Sequence, residues 1–193
     1  MIPRIAATPQ DSDTSRSIVR QAEQMVIRAQ SADPQRRDNL LLDAAILLAQ
    51  AGDIANSRET LDFISSDNLG ETLFIEYSLL GLELDIASHA HSAAQQWLMQ
   101  PRLMALRSSL GTNFSRRILS LESELNYAMG DLETSIDKLI QLGESFNERK
   151  TLGQSSIGLI HDKIWRQLNE LPFHRLQKTQ LGDRDTPTGW YEL

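Results

Sequence analysis

The chain has 193 residues, enough for one domain with its own core, and carries a formal net charge of −7 with a pI of about 5.1. Its 19 Lys and Arg are dispersed, apart from pairs such as Arg36-Arg37 and Arg116-Arg117, so it lacks the basic stripe that nucleic acid binding requires. Cysteine is absent, which excludes disulfides, thiolate metal sites and a cysteine nucleophile.

Hydrophobic residues make up 40% of the chain and aromatics only 6%, with Leu and Ala dominant, which favours helix over sheet. No apolar run approaches the ~20 residues of a membrane span, and no signal peptide is visible. Residues 1–13 are polar, hold Pro3 and Pro9, and read as a flexible N-terminal segment. From Ser15 to Gln30, Ile18, Ala22, Met25, Val26 and Ala29 fall on one helical stripe. Asp33 is the expected N-cap of the next helix. Pro34 takes its first position, where a missing N–H costs nothing.

A unit then recurs: an amphipathic helix, a two-residue break and a second amphipathic helix. It reads as Leu40–Gln50, Gly52-Asp53, Ile54–Ile64, and again as Phe114–Met129, Gly130-Asp131, Leu132–Leu142. A weaker copy lies between them, Leu73–Ile86, a break near Ser88 and Ala90–Leu98. Gly supplies the left-handed residue that ends one helix, and Asp accepts backbone N–H bonds at the start of the next. The breaks are spaced by about 36 and 42 residues, near the tetratricopeptide period of ~34, with longer connections between pairs.

Alignment on the breaks gives a packing set. Leu41, Ala44, Ala45 and Leu48 precede the first break, and Ser57, Leu61 and Ile64 follow it. Tyr77, Leu80, Gly81 and Leu84 precede the second, with Ala93 and Trp97 after it; Leu119, Ser123, Ser135, Leu139 and Leu142 belong to the third. The third copy departs by placing Glu122 and Asn126 at apolar positions. Ser155–Leu171 reads as a further helix with Ile157, Ile160, Ile164, Trp165 and Leu168 buried. Leu171-Pro172 ends it, a short helix is expected over Phe173–Thr179, and a loop at Gly182–Asp185 precedes an apolar helix start at Thr186-Pro187. The apolar end of the chain suggests the N-terminal piece of a longer protein.

Chemistry-bearing patterns are weak. His89 and His91 are two apart, which separates them on a helix, and they read with His161 and His174 as surface or loop positions. The acidic pairs Glu122/Glu124 and Asp183/Asp185 read as solvated charge. Asp183-Arg184-Asp185 begins like a calcium loop but lacks the later ligands. There is no G-x-S-x-G elbow, phosphate loop or dinucleotide fingerprint. No catalytic, cofactor-binding or metal-binding residue is assigned, and no cofactor is expected. In a helical-hairpin array the first helix of each pair lines the concave face. That nominates Gln50, Asp85, Arg117, Glu124 and Tyr127 as interaction residues.

The run Ile164-Trp165, Leu168, Leu171-Pro172, Leu176, a polar loop and Gly189-Trp190-Tyr191-Glu192-Leu193 resembles the end of the N-terminal domain in the LpoA (LppC) family. The upstream hairpins agree in order and spacing, so the resemblance covers most of residues 14–193. These are bacterial outer-membrane lipoproteins that activate a class A penicillin-binding protein. The resemblance implies a periplasmic location, with the full-length protein anchored to the outer membrane. It also implies a lipidated cysteine and a C-terminal domain of periplasmic-binding-protein fold, through which the synthase is contacted; neither is in this chain. Other periplasmic proteins and peptidoglycan are further implied partners, and the membrane is reached only through the lipid anchor.

The expectation is an all-α, TPR-like α-solenoid of right-handed, stacked antiparallel helix pairs over residues 14–193. Its expected role is that of a non-catalytic scaffold in an LpoA-like regulator of peptidoglycan synthesis. The alternative is a cytoplasmic TPR-type adaptor that binds a peptide or partner protein.

Overall fold

The computed structural model describes residues 9–147 and 154–172. The chain divides into two compact units, Met1–Ser88 and His89–Leu193. Among the described residues every regular element is helical.

The first unit holds α1 (Pro9–Ala29), α2 (Pro34–Gln50), α3 (Ile54–Asp62) and α4 (Glu71–Ala87), with a 3₁₀ turn at Ser66–Asn68. Helix α1 starts at Pro9, so the segment expected to be loose as far as residue 13 is helical over its last five residues. Consecutive helices pack on one another, and α2 also meets α4. The α1 stripe works as its periodicity requires: Ala22 and Ala29 are buried, and Val19, Met25 and Val26 pack against Ala44 and Leu48 of α2. Asp33 caps α2 by accepting the Arg36 N–H at 3.0 Å, with Pro34 in the first turn.

The second unit holds α5 (His91–Leu98), α6 (Pro101–Leu106), α7 (Thr112–Ala128), α8 (Leu132–Asn147) and α9 (Gln154–Glu170), with a 3₁₀ turn at Arg107–Ser109. Helix α6 and its 3₁₀ turn fill the long connection between the second and third sequence copies. Helices α8 and α9 share an aliphatic core of Ile136, Leu139, Ile140, Ile160, Ile164 and Leu168, closed by Leu142 and Leu171.

The two Gly-Asp breaks are built alike. Gly52 and Gly130 have φ of +81° and +80°, the left-handed region. The Gly N–H donates to the carbonyl three residues back and the following Asp N–H to the one five back, the double closure of a Schellman motif. The bonds are Gly52→Ala49 and Asp53→Leu48 at 2.9 Å, and Gly130→Tyr127 at 3.0 Å with Asp131→Asn126 at 2.9 Å. Each Asp then caps the next helix, Asp53 Oδ1 accepting from Asn56 N and Asp131 Oδ1 from Thr134 N, both at 3.2 Å. A serine twelve residues on from a small residue ties each pair together. Ser57 Oγ donates to the Ala45 carbonyl at 2.7 Å and Ser135 Oγ to the Ser123 carbonyl at 2.9 Å, both buried.

The second break falls one residue later than the sequence alignment put it. Helix α4 runs to Ala87, and the left-handed residue is His89 with φ +58°, not Ser88. Counted from His89, the residue equivalent to Ser57 and Ser135 is Ala94, which is fully buried, while Ala93 is only half-buried. The same shift carries Asp85 onto the position of Leu48.

Two other expectations are corrected. Trp165 is 46% exposed, because it sits one residue, about 100° of helical rotation, beyond Ile164 on the buried stripe. Glu122 is buried, not solvated: it pairs with Arg107 and with Lys138 at 3.4 Å. Its neighbour Asn126 turns its amide back to donate to the Glu122 carbonyl at 2.7 Å, so neither polar residue needs an apolar partner. His174, Asp183, Asp185, Trp190 and the expected helices after Pro172 lie outside the described residues.

Candidate functional site

Of the five nominated interaction residues, Gln50 is exposed at the end of α2. Asp85 is buried: its Oδ1 accepts from Arg58 Nη1 at 2.8 Å, and Arg58 also reaches Asp62 at 3.2 Å. Asp85 therefore ties α4 to α3 and offers nothing to solvent. Arg117, Glu124 and Tyr127 lie on α7; Arg117 is half-buried, whereas Glu124 and Tyr127 are exposed. These last two meet a second group of residues that the sequence reading did not nominate.

Helix α9 runs back beside α7 and opens a cleft of about 150 Å³ lined by Ser123, Glu124, Tyr127, Lys163, Arg166 and Gln167. A dry cavity of that size holds one benzene-sized molecule. Lys163 Nζ lies 3.2 Å from Glu124 Oε1, which also accepts from Ser120 Oγ at 3.4 Å. The Tyr127 hydroxyl donates to Glu170 Oε1 at 3.0 Å. That bond to the carboxylate, then burial and the Glu170 charge, hold the phenol above its ordinary pKa, and Arg166 opposes them. Ser123 sits at the floor, its hydroxyl engaged with Ser135 at 3.0 Å.

Two lining residues remain uncommitted among the described residues. Gln167 is 6% exposed, and its buried side-chain carbonyl oxygen accepts no hydrogen bond. Arg166 is exposed and makes no ion pair. A buried acceptor left unmade costs about 1–3 kcal/mol, so Gln167 is held at some expense to stability. The signal that exposes this cleft is connectivity. Helix α9 follows the third pair as α4 follows the first. Lys163, Arg166, Gln167 and Glu170 then share one side of it at spacings of three and four.

The first unit carries two larger hollows. One of about 290 Å³ is lined by Val26, Ala29, Gln30, Arg37, Leu41 and Phe63, and one of about 440 Å³ by residues including Val19, Ile27, Leu48 and Thr60. Ile27 and Phe63 stand 64% and 68% exposed at their edges. Nearby, Asp38 is fully buried and accepts from Arg37 Nε at 2.8 Å and Asn68 Nδ2 at 2.6 Å, which satisfies it structurally. Among the described residues no group of three or more His, Asp or Glu is placed to hold a metal ion, and no helix is long and apolar enough to cross a membrane.

The crystal structure of the E. coli LpoA amino-terminal domain superimposes on this chain with a TM-score of 0.59, over 93% of this chain and 75% of that one, at 18% sequence identity. The chain has the fold of the LpoA amino-terminal domain. No protein-family model matches the sequence, and no curated protein matches it. At this identity the likeness is one of backbone architecture: an all-α array of antiparallel helix pairs, the class that the repeated breaks predict.

Proposed function

We propose that this chain is a non-catalytic interaction domain of an LpoA-like outer-membrane lipoprotein, one that regulates peptidoglycan synthesis by activating a class A penicillin-binding protein. The observation that carries the reading is a convergence of two independent likenesses. One is the backbone match to the LpoA amino-terminal domain over 93% of this chain. The other is the sequence run from Ile164-Trp165 through Leu171-Pro172 to Gly189-Trp190-Tyr191-Glu192-Leu193, which resembles the same family. A generic helical-repeat adaptor shares the first kind of likeness but has no reason to share the second.

In this reading the domain acts as a periplasmic spacer and interaction arm, and the activating contact belongs to a C-terminal domain outside this chain. The α7–α9 cleft supports a binding role and not a chemical one. Its lysine is neutralised by a carboxylate and its serine is tied into the helix pair.

The test is co-purification of class A penicillin-binding proteins with this 193-residue chain and with the full-length protein, paired with a transpeptidase assay. Binding and activation by the full-length protein alone is the expected result. If the full-length protein neither binds nor activates, the synthase-regulator reading fails and a peptide-binding adaptor takes its place.

A further inference from the structure

We infer that the α7–α9 cleft is a binding site for a peptide segment, seated through one backbone amide between Arg166 and Gln167. The inference rests on the two groups there that the fold leaves uncommitted. Gln167 is held in the cleft wall with a buried carbonyl oxygen that accepts nothing among the described residues. Arg166 brings five N–H donors to the same cleft and pairs with no carboxylate among the described residues. One group lacks a donor and its neighbour lacks an acceptor. A secondary amide supplies both: its N–H meets Gln167 Oε1 once the side-chain amide turns that buried oxygen to the cleft, and its C=O meets the Arg166 guanidinium.

The charges favour a neutral group over a carboxylate. Lys163 is matched by Glu124 at 3.2 Å, and the Glu170 carboxylate, held by the Tyr127 hydroxyl, lies one helical turn beyond Arg166 on α9. A formal carboxylate would add negative charge beside Glu124 and Glu170. A backbone amide adds none. The size agrees: about 150 Å³ admits one small residue, not a folded element, and the partly exposed Tyr127 gives it an aromatic flank. The partner is thus an extended, uncharged stretch of another protein, and the site does not depend on synthase regulation.

The test uses the whole chain labelled with nitrogen-15 and titrated with the blocked tripeptide acetyl-Ala-Ala-Ala-N-methylamide, with acetate as a carboxylate probe. Saturable shifts centred on Arg166, Gln167 and Tyr127 are expected with the tripeptide and not with acetate. Gln167→Met removes the acceptor at similar volume, and Arg166→Gln removes the charge. Each is expected to weaken tripeptide binding about tenfold, the equivalent of one hydrogen bond. Gln167→Met also removes an unmade hydrogen bond, so it folds at least as well as the parent. A loss of binding is then not a loss of structure. Shifts with acetate equal to those with the tripeptide, tripeptide binding unchanged in both variants, or an unresponsive cleft whose Gln167 oxygen holds only water would each overturn the inference. None of these outcomes bears on penicillin-binding-protein activation, which the preceding assay tests alone.

Discussion

Gly130 isolates one cause of the hairpin geometry. Its φ of +80° lies in the left-handed region, and a Cβ built there meets nothing within 4 Å. Any loss on substitution therefore comes from the backbone and not from a clash with neighbours. Left-handed geometry costs a residue with a Cβ roughly 1–2 kcal/mol. Replacing Gly also stiffens the unfolded chain, which returns about 0.4–1 kcal/mol. Gly130→Ala is thus expected to destabilise by about 1 kcal/mol. Gly130→Val, whose branched side chain resists positive φ further, should lose about 2 kcal/mol. Gly130→Asn should stay within about 0.5 kcal/mol of the parent, because Asn visits this region readily. Urea unfolding followed by helical circular dichroism reads the series. With a slope near 2 kcal/mol per molar, the Val variant moves the midpoint by about 1 M. Gly52, at φ +81° with equally open space, should give the same order. Identical midpoints for Asn, Ala and Val would refute the left-handed closure as the determinant of the break.

The second break offers the converse case. His89→Gly removes the left-handed penalty at φ +58° and is expected to be neutral or to stabilise by up to about 1 kcal/mol; a loss above that by urea unfolding would contradict it. Trp165→Ala should cost under about 1 kcal/mol because the ring is 46% exposed, whereas a buried tryptophan would lose about 3–5 kcal/mol; thermal unfolding separates the two. Glu122→Ala should cost about 1–2 kcal/mol. It strips a buried carboxylate from Arg107 and Lys138, but both cations are partly exposed and can rehydrate; an unchanged melting temperature would mean the triad contributes nothing. The raised pKa of Tyr127 has a definite sign. The unfolded phenol releases its proton near pH 10 and the folded one later, so the stabilisation is present below pH 10 and is lost as pH rises through the folded value. Tyr127→Phe should flatten the fall in urea midpoint between pH 9 and 11, and parallel curves for the two proteins would disprove the coupling to Glu170.

What the sequence makes legible is the joint, because its chemistry is local. Gly52-Asp53 and Gly130-Asp131 each carry the left-handed residue and the cap in adjacent positions, and both close as read. The second joint hides because His89 takes the same conformation without the glycine that announces it. That one-residue slip is enough to turn Asp85 from a partner of Arg58 into an apparent groove residue. Trp165 misleads for a related reason: the stripe through Ile160, Ile164 and Leu168 is real, but a large apolar neighbour on its flank looks like part of it. The cleft is half-legible. Periodicity alone puts Glu124 and Tyr127 on the outer side of α7. The role of Lys163, Arg166 and Gln167 depends on α9 packing back beside a helix about forty residues earlier, which no local pattern encodes.

The first and third pairs also explain why the cleft forms where it does. In both, a serine of the second helix donates to a carbonyl of the first, Ser57 to Ala45 and Ser135 to Ser123, and small residues at those positions let the helices approach closely. Holding α8 tight against α7 leaves the outer side of α7 uncovered, and α9 packs on α8 through Ile160, Ile164 and Leu168. Beside the aliphatic cluster, on which Leu119 of α7 also packs, α9 reaches α7 through long side chains, Lys163 to Glu124 and Glu170 to Tyr127. A gap bridged by polar side chains retains room and unmet hydrogen-bonding capacity, and Gln167 carries that capacity. The spacing that builds the helix pair thus also leaves the cleft open on its neighbour.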